Sequence, residues 1–141
     1  MLHVEHVSTQ QQKDDAFTVR KLVFVDEQLV PLEEEIDHHE ESSEHFVLYD
    51  AKTPVGAGRF RSVDSKGKFE RICVLSSHRG NGSGALLMTE IEKYAVKNGY
   101  TTLKLNAQTH ALSFYEKLGY HITSDEFLDA GIPHKSMEKH M

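Results

Sequence analysis

The apolar positions of the chain follow two periods, and each change of period marks an element. Leu2 and Val4 alternate with His3 and Glu5, which predicts a short first strand. Between Gln10 and Phe24, Ala16, Val19 and Val23, with Phe17 and Phe24 beside them, recur at helical spacing. Ser8 or Thr9 can cap that helix. Pro31 holds Val30 extended, so Val25 to Pro31 is a break. Period two returns over Glu44–Asp50, Val55–Val63 and Lys68–Leu75, with turn residues at Ala51–Pro54 and Asp64–Gly67. Such short links make these three strands antiparallel neighbours. Met88, Ile91 and Ala95, widened by Leu87 and Tyr94, then give an amphipathic helix closed by Asn98 and Gly99. Thr101–Ala107 is a strand that the intervening helix sets parallel to Lys68–Leu75. His110–Leu118 reads as a short helix, Tyr120–Thr123 as the start of a strand, and Asp125–Met137 as a loop and a closing strand.

Composition narrows the class. The 141 residues make one domain, 1–141, with 38% hydrophobic and 27% charged residues, as in ordinary globular proteins. No apolar run reaches the ~20 residues that span a bilayer, and the opening Met1–Glu5 shows no basic and apolar leader. The single Cys73 rules out an internal disulfide, and a reducing, cytoplasmic setting is expected. The net charge of −6 argues against a nucleic-acid binder.

The chemistry concentrates in Arg79-Gly80-Asn81-Gly82-Ser83-Gly84, between the strand at Phe69–Leu75 and the amphipathic helix. A strand, a glycine turn and a helix start aim several backbone N–H groups at one point, where the helix dipole is positive. The expectation is a phosphate site. Gly82 and Gly84 would leave the amides open to a diphosphate, and Arg79 would add a charge-assisted bond. The loop lacks the Gly-Lys-Ser/Thr ending of a P-loop, which disfavours nucleotide hydrolysis. It also lacks the register of a dinucleotide-binding fingerprint.

Arg-x-x-Gly-x-Gly after a strand ending Ile72-Cys73-Val74-Leu75 resembles the acetyl-CoA signature of the GNAT superfamily of N-acetyltransferases. A second block is similar too: Asn106, then Phe114-Tyr115-Glu116-Lys117-Leu118-Gly119-Tyr120. The stretches Arg20 to Asp37 and Glu126 to His134 resemble the small bacterial YjcF-like branch. The resemblance implies the GNAT acyl-CoA N-acyltransferase fold: an α+β, three-layer arrangement with a mixed, mostly antiparallel central sheet flanked by helices. In that fold a splayed parallel strand pair binds CoA. It implies acetyl-CoA as acyl donor, and no metal is expected. The acidic segment Glu33 to Glu44 and the short chain favour a primary amine of a small molecule as acceptor. A cysteine buried in an apolar strand favours direct attack over an acyl-enzyme. Dimerisation is common in the superfamily, so a homodimer is compatible with it. Competing functions are a non-catalytic acyl-CoA-binding module and a peptide or protein N-acetyltransferase.

By the same resemblance the backbone of Ile72, Cys73 and Val74 holds the pantetheine arm. The N–H of Val74 then faces the thioester oxygen, and Arg79, Gly80, Asn81, Gly82, Ser83 and Gly84 hold the pyrophosphate. Asn106 contacts the cofactor arm or caps its strand. Phe114 packs in the core or meets the cofactor. Tyr115 is the candidate general acid, because a phenol can protonate a leaving thiolate; the other reading is a core aromatic bonded to backbone. Glu70 is the candidate general base, against a cross-strand ion pair with Arg59, Arg61 or Arg71. His134 is the second candidate. Alternation puts Glu70 on the face of Lys68 and Ile72, opposite Phe69 and Arg71. Cys73, in an apolar strand, is a poor nucleophile and reads as packing. Glu27 and Gln28 are candidates for acceptor contacts, the other reading being a structural role. Glu33 to Glu44 holds seven carboxylates and no Lys or Arg, and reads as a solvated segment or as an acidic wall near an acceptor amine.

Overall fold

The computed structural model describes residues 1–141. Strand β1 (Leu2–His6) leads to helix α1 (Gln10–Arg20), which continues as a π-helical stretch, Lys21–Glu27. Thr9 caps α1. Its Oγ1 accepts from the Gln12 N–H at 3.1 Å, and the Gln12 side chain accepts from the Thr9 N–H at 3.2 Å. Such a reciprocal cap contributes about 1 kcal/mol. After the single turn α2 (Leu32–Glu35) come β2 (Glu44–Asp50), β3 (Thr53–Val63) and β4 (Lys66–Val74). Then follow α3 (Ser83–Lys97), β5 (Thr102–Gln108), α4 (Leu112–Lys117), β6 (His121–Ile122), β7 (Phe127–Asp129) and β8 (Ile132–His140).

One sheet runs in the order β1-β2-β3-β4-β5-β8-β6, with β7 folded back on β8. Only β4 and β5 pair in parallel, as the helical crossover between them demands. The pairing covers Gly67–Phe69 against Leu103–Leu105 and stops there, although both strands run on. Their further halves therefore part, while β5 stays paired with β8 as far as Gln108 opposite His134.

The sheet is covered on both faces. On one, Leu87, Met88, Ile91 and Ala95 of α3 pack with Phe46, Leu48, Phe60, Phe69, Leu103 and Leu105. On the other, Ala16, Val19 and Val23 pack with Val47, Tyr49, Ala57 and Cys73. Three layers result, with the parting of β4 and β5 between the two helical layers.

A bulge in β4 sets the site. Arg59 pairs with Glu70 and Ala57 with Cys73, so Arg71 and Ile72 together face Gly58. Arg71 takes a φ of +56°, and the extra residue reverses the facing of the strand beyond it. Ile72 turns in with Phe69 against the α3 core, and Cys73 faces α1. Strict alternation, which groups Ile72 with Glu70, is thereby corrected. Gly58 accommodates the turn: a Cβ there would lie 2.8 Å from Cδ1 of both Ile72 and Ile91.

Candidate active site

Where β4 and β5 part, a cavity of about 1040 Å³ opens, lined from β4, β5, α4, the glycine loop, the β7–β8 hairpin and the segment Val23–Asp37. Nearly all the residues singled out from sequence border it or the loop at its end. They do so in ways the chain order does not show.

At the head of α3, the N–H groups of Gly80, Asn81, Gly82, Gly84 and Ala85 have no acceptor within the protein. The N–H of Ser83 does have one, because Asn81 Oδ1 accepts both it and the Ser83 hydroxyl. Asn81 thus closes an Asx turn that shapes the loop. Gly82 is needed for its φ of +86°, with open space where a Cβ would stand. Gly84 has a different reason: a Cβ there would sit 3.1 Å from Phe114 Cζ. Its smallness lets α3 pack on α4, so Phe114 has a packing role as well as a place on the cavity wall.

Arg79, expected on the pyrophosphate, donates from Nε to the Val74 carbonyl at 2.9 Å. Its two Nη atoms donate to the two oxygens of Glu27 at 2.7 and 2.8 Å. The next residue, Gln28, exchanges hydrogen bonds with Gln108 at the end of β5, at 2.8 and 3.4 Å. Glu27 and Gln28 thus reach opposite walls of the cleft.

Tyr115 is buried on α4 between Phe114 and Tyr120, with ring centroids 4.9 and 6.1 Å away. Its hydroxyl has no hydrogen-bond partner and is not sealed from the cavity, so the backbone-bonded alternative does not hold. Burial raises its pKa, and the neighbouring Cys73 adds to the effect. Cys73 itself is pushed up to about 12 by burial, which keeps it a thiol and a packing residue. Asn106 accepts at Oδ1 from the Ser136 hydroxyl at 2.8 Å, leaving its amide nitrogen free on the cavity side.

Glu70 sits in a cage of cations. Arg59 donates to it at 2.8 Å, Arg61 at 2.6 Å, and Lys68 Nζ stands 3.1 Å away. Burial alone would raise its pKa. The Arg61 hydrogen bond and the charges of Arg59 and Lys68 outweigh it and hold the carboxyl at about 2. The ion-pair reading is the one this side chain adopts, and such a carboxylate is a weak proton acceptor.

His134 is placed differently. Its Nδ1 lies 2.7 Å from the Ile132 carbonyl, which can only accept, so Nδ1 carries the proton. In the neutral ring the lone pair is then on Nε2, which has no partner and is not sealed off, in a residue that is 8% exposed and borders the cavity.

The acidic segment is not uniformly solvated. Arg20 bonds Glu35 at 2.7 Å and Glu40 at 2.8 Å, with all three side chains buried. Arg59 bonds Asp37 at 2.8 Å and Arg71 reaches it at 3.2 Å. The segment supplies no cation, and α1, β3 and β4 supply them from outside. One sequence signal pointed here: Arg20 lies on the same helical stripe as Ala16, Val19 and Val23. Glu33 and Glu34 remain at the cavity without ion partners. His38 and His39 follow one another in a turn with ring centroids 3.9 Å apart.

Comparison with known proteins bears on this geometry. The family model of the acetyltransferase (GNAT) domain matches residues 6–141. YjcF of Bacillus subtilis (strain 168), described as an uncharacterized N-acetyltransferase, is 56% identical over 131 residues, 92% of this chain and 94% of its own. A Lactobacillus plantarum protein of known crystal structure superposes with a TM-score of 0.91 at 27% identity, covering 99% of this chain and 97% of its own. A GNAT family acetyltransferase from Elizabethkingia anophelis, solved with acetyl-CoA bound, has the same fold at a TM-score of 0.75 and 16% identity, covering 99% and 98%.

Proposed function

From the premise that this chain belongs to the GNAT acetyltransferase family and is an acyltransferase, we propose that it moves an acetyl group from acetyl-CoA to a primary amine of a small molecule. One observation carries the reading: the cleft between β4 and β5 joins five unpaired backbone N–H groups to the unbonded hydroxyl of Tyr115. The amides suit a diphosphate at the helix start. The free edge of β4 at Ile72, Cys73 and Val74 suits an extended pantetheine arm, and the Asn106 amide can donate to it. Acetyl-CoA enters as a substrate and supplies the acyl carbon and the thiolate leaving group.

The amine attacks the thioester carbonyl directly; a C–N bond forms and the C–S bond breaks. The Val74 N–H polarises the carbonyl oxygen. The Tyr115 hydroxyl gives its proton to the departing sulfur and recovers one from solvent. In a site that burial has made costly for a phenolate, this proton moves late, with the developing thiolate. His134 Nε2, oriented by the Nδ1 bond to Ile132, takes the amine proton. Glu70 fixes the guanidinium cluster beneath the acceptor side instead of accepting that proton. Glu33 and Glu34 favour a cationic amine at the cavity mouth. No helix is long and apolar enough to cross a membrane; we place the enzyme in the cytoplasm, where Cys73 stays reduced.

The test is calorimetric titration with acetyl-CoA beside a thiol-release assay over a panel of amines. Binding with amine-dependent thiol release supports the reading. Binding without release on any amine would point to an acyl-CoA-binding module. No binding would remove the assignment of the α3 amides.

A further inference from the structure

Arg79 is the only Lys or Arg between Arg71 and Lys93, so it is the one fixed positive charge in the glycine loop. Its hydrogen-bonding capacity is nonetheless largely committed. Nε is used by the Val74 carbonyl, and the parallel pair of Nη donors is used by both oxygens of Glu27. That bidentate face is the one a guanidinium presents to a phosphate. A carboxylate thus holds the position that suits an anionic ligand.

Glu27 also brings a negative charge close to where two phosphates would sit. Its side chain is 44% exposed, and so is 42% of Arg79. The backbone beneath it is anchored independently. The Gln28 N–H bonds the Val23 carbonyl at 3.0 Å, and the Gln28 side chain stays on Gln108. Glu27 can therefore leave Arg79 by rotating its own side chain into solvent, with no movement of the segment that carries it.

Resting on the reading of Arg79–Ala85 as a diphosphate site, we propose that Glu27 is an internal competitor for the donor's diphosphate. It occupies the bidentate face of Arg79 in the free enzyme and yields that face when the donor binds. Acting through Arg79, it sets the affinity for phosphate-bearing thioesters and leaves the pantetheine and acyl portions untouched.

The experiment compares CoA with pantetheine, which has no phosphate, by calorimetry at low and high salt. The proteins are wild type, Glu27→Gln, Glu27→Ser, Arg79→Gln and the Glu27→Gln/Arg79→Gln double variant. Both neutral replacements of Glu27 should bind CoA about fivefold more tightly at low salt, the scale of one well-formed exposed ion pair. The gain should shrink at high salt, vanish in the Arg79→Gln background and be absent for pantetheine. Unchanged or weaker CoA binding in both Glu27 variants would overturn the proposal, since Glu27 would then be idle or would orient Arg79 for the phosphate. An equal gain for pantetheine would overturn it as well. Failure of the wild type to bind CoA would instead remove the diphosphate site itself.

Discussion

Arg20 of α1 and Arg59 of β3 donate to the same oxygen, Glu40 Oε2, at 2.8 and 2.9 Å. Both guanidinium groups are 1% exposed, and Glu40 is 8% exposed. The shared carboxylate fastens the segment between α2 and β2 to the helix and the sheet together. Removing it leaves two buried cations short of a partner. Glu40→Ala is expected to destabilise the protein by about 3 kcal/mol or more, read from the shift of the urea midpoint at constant slope. A loss comparable to a surface pair, under about 1 kcal/mol, would show that the network relaxes into solvent.

The same network fixes an acid limb of stability. Glu40 is held at about 2: burial opposes this, and the Arg20 hydrogen bond and charge and the Arg59 charge prevail. Glu70 is held at about 2 as well. Their folded values lie below the ordinary 4.5, so the unfolded chain takes up protons first. Their contribution is complete above pH 4.5 and is lost as the pH falls through about 2. Equilibrium unfolding between those limits should show a steep fall for the wild type and a shallower one for Glu70→Gln.

Tyr115→Phe removes one oxygen that bonds nothing in the protein. Stability and CoA affinity should hold, while kcat drops by about 10²-fold or more, the usual contribution of a positioned acid. A change confined to KM would assign the hydroxyl to binding instead.

For the base, the two candidates separate by which substitution removes turnover. His134→Ala should lower kcat by about 10²-fold or more while CoA affinity holds. Glu70→Gln should largely preserve kcat, whatever it costs in stability. The reverse pattern would return the base role to Glu70.

Gly84→Ala places a Cβ 3.1 Å from Phe114 Cζ. Overpacking of this kind costs roughly 1–3 kcal/mol. A second change, Phe114→Leu, should recover part of the stability and of the CoA affinity. If Gly84→Ala weakens CoA binding with no change in thermal stability, the glycine serves the ligand and not the packing of α3 on α4.

Much of this molecule was legible one residue after another. The helical spacing of Met88, Ile91 and Ala95, the period-two strands and the glycine loop are local facts, because each depends on backbone geometry within a few residues. The two motif blocks carried the family, and they placed Tyr115 and Asn106 on the wall where the structure has them. The boundary of the first helix was less clear, since its last turns widen into a π-helical stretch before Pro31.

Other features depend on partners distant in sequence. The bulge at Arg71 arises from pairing with Gly58 on another strand, and it undid the alternation that grouped Ile72 with Glu70. The acidic segment looked solvated because its cations lie on α1, β3 and β4. The packing role of Gly84 was hidden because the ring it accommodates is thirty residues downstream. By itself the sequence determined the elements, their order and the residue types available for acyl transfer, through short-range geometry and the periodicity of burial. Only the tertiary structure decided which carboxylates are caged, which histidine nitrogen is free and which residue holds Arg79. Charge and proton affinity are set by neighbours in space, and those neighbours exist only once the chain has folded.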